Sequence, residues 1–396
     1  MSSHNLLTAG TSPEVQVPNN SVRKKKVWYT VTIVLVVALL STVVGAYIYF
    51  RNNVSNKEPP KLKVGVMMAF SGGSSSMGYG AMKGILLAKR ELGANNIEII
   101  QMDSRCDAKA AASAIKRLIE QHVAAIIGEG CSSASAAVLV TANNNKIVMI
   151  SPSAASPTLS IPDDYFFRMI PPNTFQGSFI AKAIYDRGIR NVAMFYTNQS
   201  YVRGLNNAFQ ERLEALGGKV VATATAEPEA IGLHSQIQTL KSANPQAILI
   251  APSSVVSATA IIKLLHEAGV TVPLFGTDIM YDTTIIENGG AAAEGLVISS
   301  FSTGNNSFQQ TLVNEYQKTE QLYGAPQAYD IIKLLQLAVE KGATTGEKIK
   351  NILPQIEFDG KSGHIVFDQN GEISGKNYRY DLFKIKNGSF VYVEHE

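Results

Sequence analysis

The sequence predicts an α/β protein of two parallel-sheet lobes preceded by one membrane-spanning helix. Three observations carry that expectation. No charged residue interrupts Val27 to Phe50, which is long enough to cross a bilayer as a helix. From Lys61 onward, short buried-strand runs alternate with helix-like runs, the pattern of a parallel sheet covered on both faces. The alternation restarts after Pro171-Pro172, and 396 residues exceed what one core usually serves, so two lobes are expected rather than one.

Residues 1–26 read as a cytoplasmic disordered tail, polar and without a period until Arg23, Lys24, Lys25 and Lys26. Residues 27–50 read as a transmembrane anchor, with Trp28, Tyr29, Tyr47 and Tyr49 near its two ends, where interfacial aromatics belong. The basic cluster outweighs Arg51 and Lys57 beyond the span, so the positive-inside rule keeps the tail in the cytoplasm and everything after Phe50 outside. The localisation expected is a single-pass cell-membrane protein with its large domain on the extracytoplasmic side. The competing reading is a signal peptide cleaved after Ala46, in the small-residue run Val44-Gly45-Ala46. Residues 51–60, ending in two prolines, form a short spacer.

The first series places strands at Lys63 to Ala69, Ile97 to Met102, Ala124 to Ile127, Lys146 to Ile150 and Tyr165 to Ile170, with helices between them. The second places strands at Asn191 to Tyr196, Val220 to Thr225, Ala247 to Ala251, Leu274 to Gly276 and Leu296 to Ser300. Helical runs at Phe308 to Tyr323 and Gln327 to Glu340 follow, then a Gly-punctuated β segment from Phe358 to Tyr392. The lobes are expected to comprise 61–173 plus 301–379 and 174–300 plus 380–396, with a cleft between them.

Ala124 to Ser156 is the stretch with the clearest chemistry. Its two strand runs end in Cys131-Ser132-Ser133 and in Ser151-Pro152-Ser153. In a right-handed β-α-β unit both ends open on one sheet edge, where ligands bind. Backbone NH groups at the helix start after Ser132, with hydroxyls beside them, suit an anionic group such as a carboxylate. The plainer alternative is that Ser132 and Ser133 only cap the helix.

Other classes are poorly served. Net charge is +3, and no basic face carries interleaved aromatics, so no nucleic-acid partner is expected. Six scattered histidines give no metal spacing, and no nucleophile elbow or carboxylate pair points to an enzyme. Gly78, Gly80 and Gly84 approach a dinucleotide fingerprint, but the last gap is one residue too long, so no cofactor is expected. Cys106 and Cys131 both lie on the outer side, just past strands taken as neighbours; a disulfide and two buried thiols are both open readings.

DSRCDAKAA (Asp103 to Ala111), IIGEGCSSASA (Ile126 to Ala136), IVMISPSAASPTL (Ile147 to Leu159) and FRMIPPNTFQG (Phe167 to Gly177) resemble, in order and spacing, the leucine/isoleucine/valine-binding protein family. These are type I periplasmic solute-binding proteins of ABC transporters, and the similarity runs from Lys61 to the end. The resemblance implies a two-lobed clamp that closes on an amino acid, aliphatic or branched-chain, for delivery to an ABC transporter permease, and the family's disulfide falls on Cys106 and Cys131. It puts the carboxylate socket on Ser132 and the turn Ser153, Ala154, Ala155, with Ser133 alongside. The acid for the substrate ammonium falls on Asp278, and cleft aromatics on Tyr79 and Tyr201. Ala155 stands where the family turn usually has threonine, and Ser253 and Ser254 where some amino-acid binders place a tyrosine. The rival expectations are a ligand-sensing ectodomain working through a partner signalling chain, and a binder of a non-amino-acid carboxylate or amide.

Overall fold

The computed structural model describes residues 20–54, 61–227, 230, 232–301, 308, 311–312, 314, 324–373 and 380–393. It divides into two compact units, residues 1–59 and 60–396. The described part of the first is a single helix, α1 (Asn20–Val54), which begins earlier than the apolar run predicted. Its apolar window, Trp28–Tyr49, is 22 residues with a mean hydropathy of 2.5. At roughly 1.5 Å per residue that length matches a hydrocarbon core of about 30 Å. The hydroxyls of Thr32, Ser41 and Thr42 donate to the carbonyls of Trp28, Ala38 and Leu39, so those polar side chains are satisfied within the helix. Residues 1–19 of the expected tail and 55–60 of the spacer lie outside the described residues.

In the second unit the first series gives β1 (Leu62–Met68), α2 (Ser75–Glu91), β2 (Ile97–Asp103), α3 (Ala108–Glu120), β3 (Ala125–Gly128), α4 (Ser132–Asn144), β4 (Val148–Ser151) and β5 (Phe166–Arg168). These strands form a parallel sheet in the order β2-β1-β3-β4-β5. The uniformly buried VMIS and AIIG runs are what a strand covered on both faces needs. The order corrects one expectation: β2 and β3 are not neighbours, because the chain crosses back over β1 between them. The crevice of a doubly wound sheet lies where the order reverses, here between β1 and β3.

The second series gives α5 (Thr174–Asp186), β6 (Asn191–Thr197), α6 (Ser200–Ala215), β7 (Lys219–Ala226), α7 (His234–Ser242), β8 (Ala247–Ala251), α8 (Val255–Glu267), β9 (Leu274–Gly276), α9 (Thr283–Gly289) and β10 (Val297–Phe301). The chain then continues through α10 (Ala325–Glu340), α11 (Gly346–Ile352), the short pair β11 (Phe358–Asp359) and β12 (His364–Ile365), and the hairpin β13 (Tyr380–Lys386) and β14 (Ser389–Val393). The hairpin joins the second sheet antiparallel, in the order β14-β13-β10-β9-β8-β6-β7.

Helix α10 instead returns to the first sheet, where Ile331, Leu334, Leu335 and Ala338 share one core with Val64, Ile127 and Ile150. A side chain at Gly84 would collide with the Ala325 carbonyl, so a glycine in α2 sets how close α10 can come. Most of the helical run expected at 308–323 lies outside the described residues, as do 302–307 and 374–379.

Candidate functional site: a hollow between the two sheets

The first wall of the site is made where β3 and β4 end. Gly128 has φ +121, and a Cβ there would strike the Met67 carbonyl. At Gly130 a Cβ would sit 2.5 Å from Met77 Sδ and 2.9 Å from Ser153 Oγ, so any larger residue fills the socket. Neither Ser132 nor Ser133 caps α4: the N-cap residue is Cys131, and its side chain makes no capping bond. Ser132 is the first helical residue, 4 % exposed, and its Oγ accepts from the Ser156 NH at 3.0 Å. Ser153 Oγ donates to the Gly130 carbonyl at 3.1 Å, tying the two serine-bearing ends together. Ser151 Oγ donates to the Glu129 carbonyl at 2.6 Å and accepts from the Ala154 NH at 2.9 Å.

Ala154 and Ala155 are buried behind the turn. The turn is held from below by Arg168, whose Nη1 donates to the Ser156 carbonyl at 2.8 Å and the Ala154 carbonyl at 3.3 Å. Arg168 is itself fully buried against Glu372, with Nε–Oε2 at 2.5 Å and Nη2–Oε1 at 2.7 Å.

The second wall comes from the other sheet. Asp278, just past β9, is 2 % exposed, and its Oδ1 accepts the Tyr201 hydroxyl at 2.5 Å. Burial, and then the Asp278 charge, push the Tyr201 phenol well above its ordinary value, so it stays a donor. A hollow of about 390 Å³ separates the walls. Met77, Gly130, Ser132, Ser133 and Ser153 line it from one side, and Gln199, Tyr201, Ser253 and Ile279 from the other. An adjoining hollow shares Met77, Ser253 and Ile279, and adds Ser74, Ser76, Ser254, Val255, Tyr281 and Asp282.

Of the residues singled out from sequence, Ser132, Ser133, Ser153 and Tyr201 meet at the hollow, Asp278 backs Tyr201, and Ala154 and Ala155 lie behind the turn. Tyr79 does not join them: it is 45 % exposed and packs edge-on against Phe70, with ring centroids 5.8 Å apart. The α2 residue at the hollow is Met77, because two residues of helix, about 200° of rotation, carry position 79 round to the other face.

Cys106 and Cys131 form a disulfide across β1, with Cα atoms 5.4 Å apart, and both border the hollow. It closes a loop with a sequence separation of 25. On the chain-entropy model, converting both cysteines to serine is expected to lower unfolding stability by about 3 to 4 kcal/mol, read from the denaturation midpoint. A loss under about 1 kcal/mol would show that the loop is held by its other bonds.

With this geometry in view, comparison with known proteins is informative. The family model described as periplasmic binding protein matches residues 61–388. The chain belongs to the periplasmic binding protein family. A leucine-, isoleucine-, valine-, threonine- and alanine-binding protein of Pseudomonas aeruginosa is 23 % identical over 326 residues, covering 77 % of this chain and 85 % of that one. Among solved structures, a leucine-binding protein of Thermotoga maritima superposes with a TM-score of 0.77 at 28 % identity, over 84 % of this chain and 97 % of that one. A solute-binding protein from R. palustris in complex with benzoate shares the fold with a TM-score of 0.75 at 19 % identity, over 84 % and 95 %. These periplasmic binding proteins are solute binders rather than enzymes, and the binding domain is of the extracytoplasmic kind.

Sequence reasoning missed Met77, Gly130, Gln199 and Ile279 on the lining of the hollow, and Glu129 buried next to it. Met77 gave no signal beyond its place in an apolar-spaced helix. Glu129 did give one, as an acidic residue set inside the otherwise apolar and small run AAIIGEGCSSASAA.

Proposed function

We propose that this protein is a membrane-tethered solute-binding protein that captures an amino acid, aliphatic or branched-chain, between its lobes and delivers it to an ABC transporter permease. Helix α1 is the tether in this reading, and the lobes are 61–173 plus 301–379 and 174–300 plus 380–396. The observation that carries it is the pairing across one hollow. The hydroxyl-bearing start of α4, with Ser132 and Ser153, faces Tyr201 and the Asp278 behind it. A carboxylate suits the first wall and an ammonium the second. A zwitterion satisfies both only when the lobes are together, so binding favours closure.

The adjoining hollow is where the substrate side chain is proposed to lie. Its lining mixes Met77, Val255 and Ile279 with serine hydroxyls and the Asp282 carboxylate, and none of the described residues lining it is a cation. An acidic side chain there lacks a partner. Calorimetry of the full chain in detergent, freed of carried-over ligand, is expected to find leucine or valine bound at least about 100-fold more tightly than glutamate. Equal or tighter glutamate binding would sink the neutral-side-chain assignment.

One observation favours a second reading, a carboxylate without an amino group: the Asp278 Oδ1 already accepts from Tyr201. In the same titration, 4-methyl-2-oxopentanoate or benzoate binding where leucine is silent would select it.

A further inference from the structure

Glu129 sits between the two serine-bearing strand ends, and its side chain is fully buried. Its Oε1 accepts from the Ser104 hydroxyl at 2.6 Å and its Oε2 from the Cys131 NH at 2.6 Å. Its backbone carbonyl takes the hydroxyls of Ser135 at 3.0 Å and Ser151 at 2.6 Å. One residue therefore fixes the loop after β2, the start of α4 and the turn after β4.

Among the described residues, no positively charged side chain pairs with it. The α4 sequence SSASAAVLVTANN and the β4 sequence VMIS contain no charged residue, and α2 contributes Met77 to this region. From β2 the nearby charge is Asp103, also an acid, held by the NH groups of Phe70 and Arg105 and by the Ser71 hydroxyl. Arg105 lies beside Asp103, 3.9 Å from its Oδ2, with its side chain 70 % exposed. From the opposite sheet the acid is Asp278, behind Tyr201. Burial, opposed by hydrogen bonds from the Ser104 hydroxyl and the Cys131 and Gly130 NH groups and helped by the Asp103 charge, pushes the Glu129 carboxyl up to about 7.

We propose that a carboxylate ligand seated at Ser132 and Ser153 is taken up together with one proton, which Glu129 holds. Two like charges in one dry site are far more costly than one, so an ionised ligand on the socket raises the proton affinity of the acid beneath it. The proton comes from solvent and adds to Oε1, which then donates to Ser104 Oγ, while Oε2 keeps the Cys131 NH. The ligand carboxylate stays ionised. Glu129 is thus a positioning residue that couples socket geometry to pH, and the inference rests on the socket being a carboxylate site.

The test is calorimetry of the full chain at pH 7 in two buffers of different ionisation heat, with leucine and with 4-methyl-2-oxopentanoate. The wild-type protein is expected to take up about half a proton per ligand, since a group titrating near 7 is half charged there. Above pH 7 the affinity is expected to fall by up to about tenfold per pH unit. Glu129→Gln mimics the protonated acid, with an amide donating to Ser104 Oγ, and is expected to abolish the uptake and flatten the pH profile. No uptake by the wild-type protein, or uptake that persists in E129Q, overturns the proposal and leaves the carboxylate-site reading intact. Uptake with the keto acid while leucine is silent supports the proposal and removes the amino-acid reading. Binding of neither overturns both.

Discussion

Asp278→Ala is expected to weaken leucine binding by roughly 30- to several-thousand-fold, corresponding to the 2 to 5 kcal/mol that follows from removing one partner of a buried charged contact. Asp278 is the acid next to Tyr201 and Ile279, both of which line the hollow. The loss falls on ammonium-bearing ligands. Binding of 4-methyl-2-oxopentanoate, the same skeleton without an ammonium, should hold or improve in the variant, because its only charge meets the opposite wall. Tyr201→Phe tests the same contact from the other side: it removes one hydrogen bond to Asp278 Oδ1 and is expected to cost far less than the loss of the acid. Unchanged leucine affinity in Asp278→Ala would remove this residue from the site and leave its contact with Tyr201 as packing between α6 and the loop after β9.

The second large effect is on stability. Arg168→Ala is expected to destabilise the fold by about 3 to 5 kcal/mol, measured by urea denaturation, because it strands the Glu372 carboxylate in a buried place. Four acceptors lose the guanidinium at once: Glu372, which keeps the Ser160 hydroxyl, the Ser156 carbonyl, which keeps the Leu159 NH, and Ser160 Oγ and the Ala154 carbonyl. The last two shape the turn that carries Ser153, so ligand affinity should fall along with stability. Replacing both charges, as Arg168→Met with Glu372→Leu, is expected to recover much of the stability but not the turn geometry, since the guanidinium that bridges those two carbonyls is then gone. A single substitution costing under about 1 kcal/mol would mean that the pair is already solvated in the native state.

Much of this architecture was legible in the chain. Continuous buried runs such as VMIS and AIIG, separated by helix-length segments, suit strands covered on both faces, as in a parallel sheet flanked by helices. The serine-bearing strand ends could be placed at the ligand edge because βαβ units have one hand. Individual side chains were less legible. Tyr79 was expected at the cleft from its position in a motif, yet a helix of 3.6 residues per turn makes Met77 the residue that faces it. Ser132 looked like a cap, yet its oxygen receives the Ser156 NH, a partner 24 positions away.

By itself, the sequence determined the apolar helix, the two α/β series, the serine-ended strands and two cysteines with no other thiol to pair with. Each is a local property, written in periodicity, charge and residue type over a few consecutive positions. Only the tertiary structure decided that β1 lies between β2 and β3 beneath the Cys106–Cys131 bridge, that the Tyr201 hydroxyl meets Asp278, that Arg168 holds the socket turn through Glu372, and that Glu129 is buried beneath the socket. Those contacts join residues far apart in the chain. Their strength comes from exclusion of water, which no stretch of sequence carries alone and which appears only when the two sheets and their loops close around the same space.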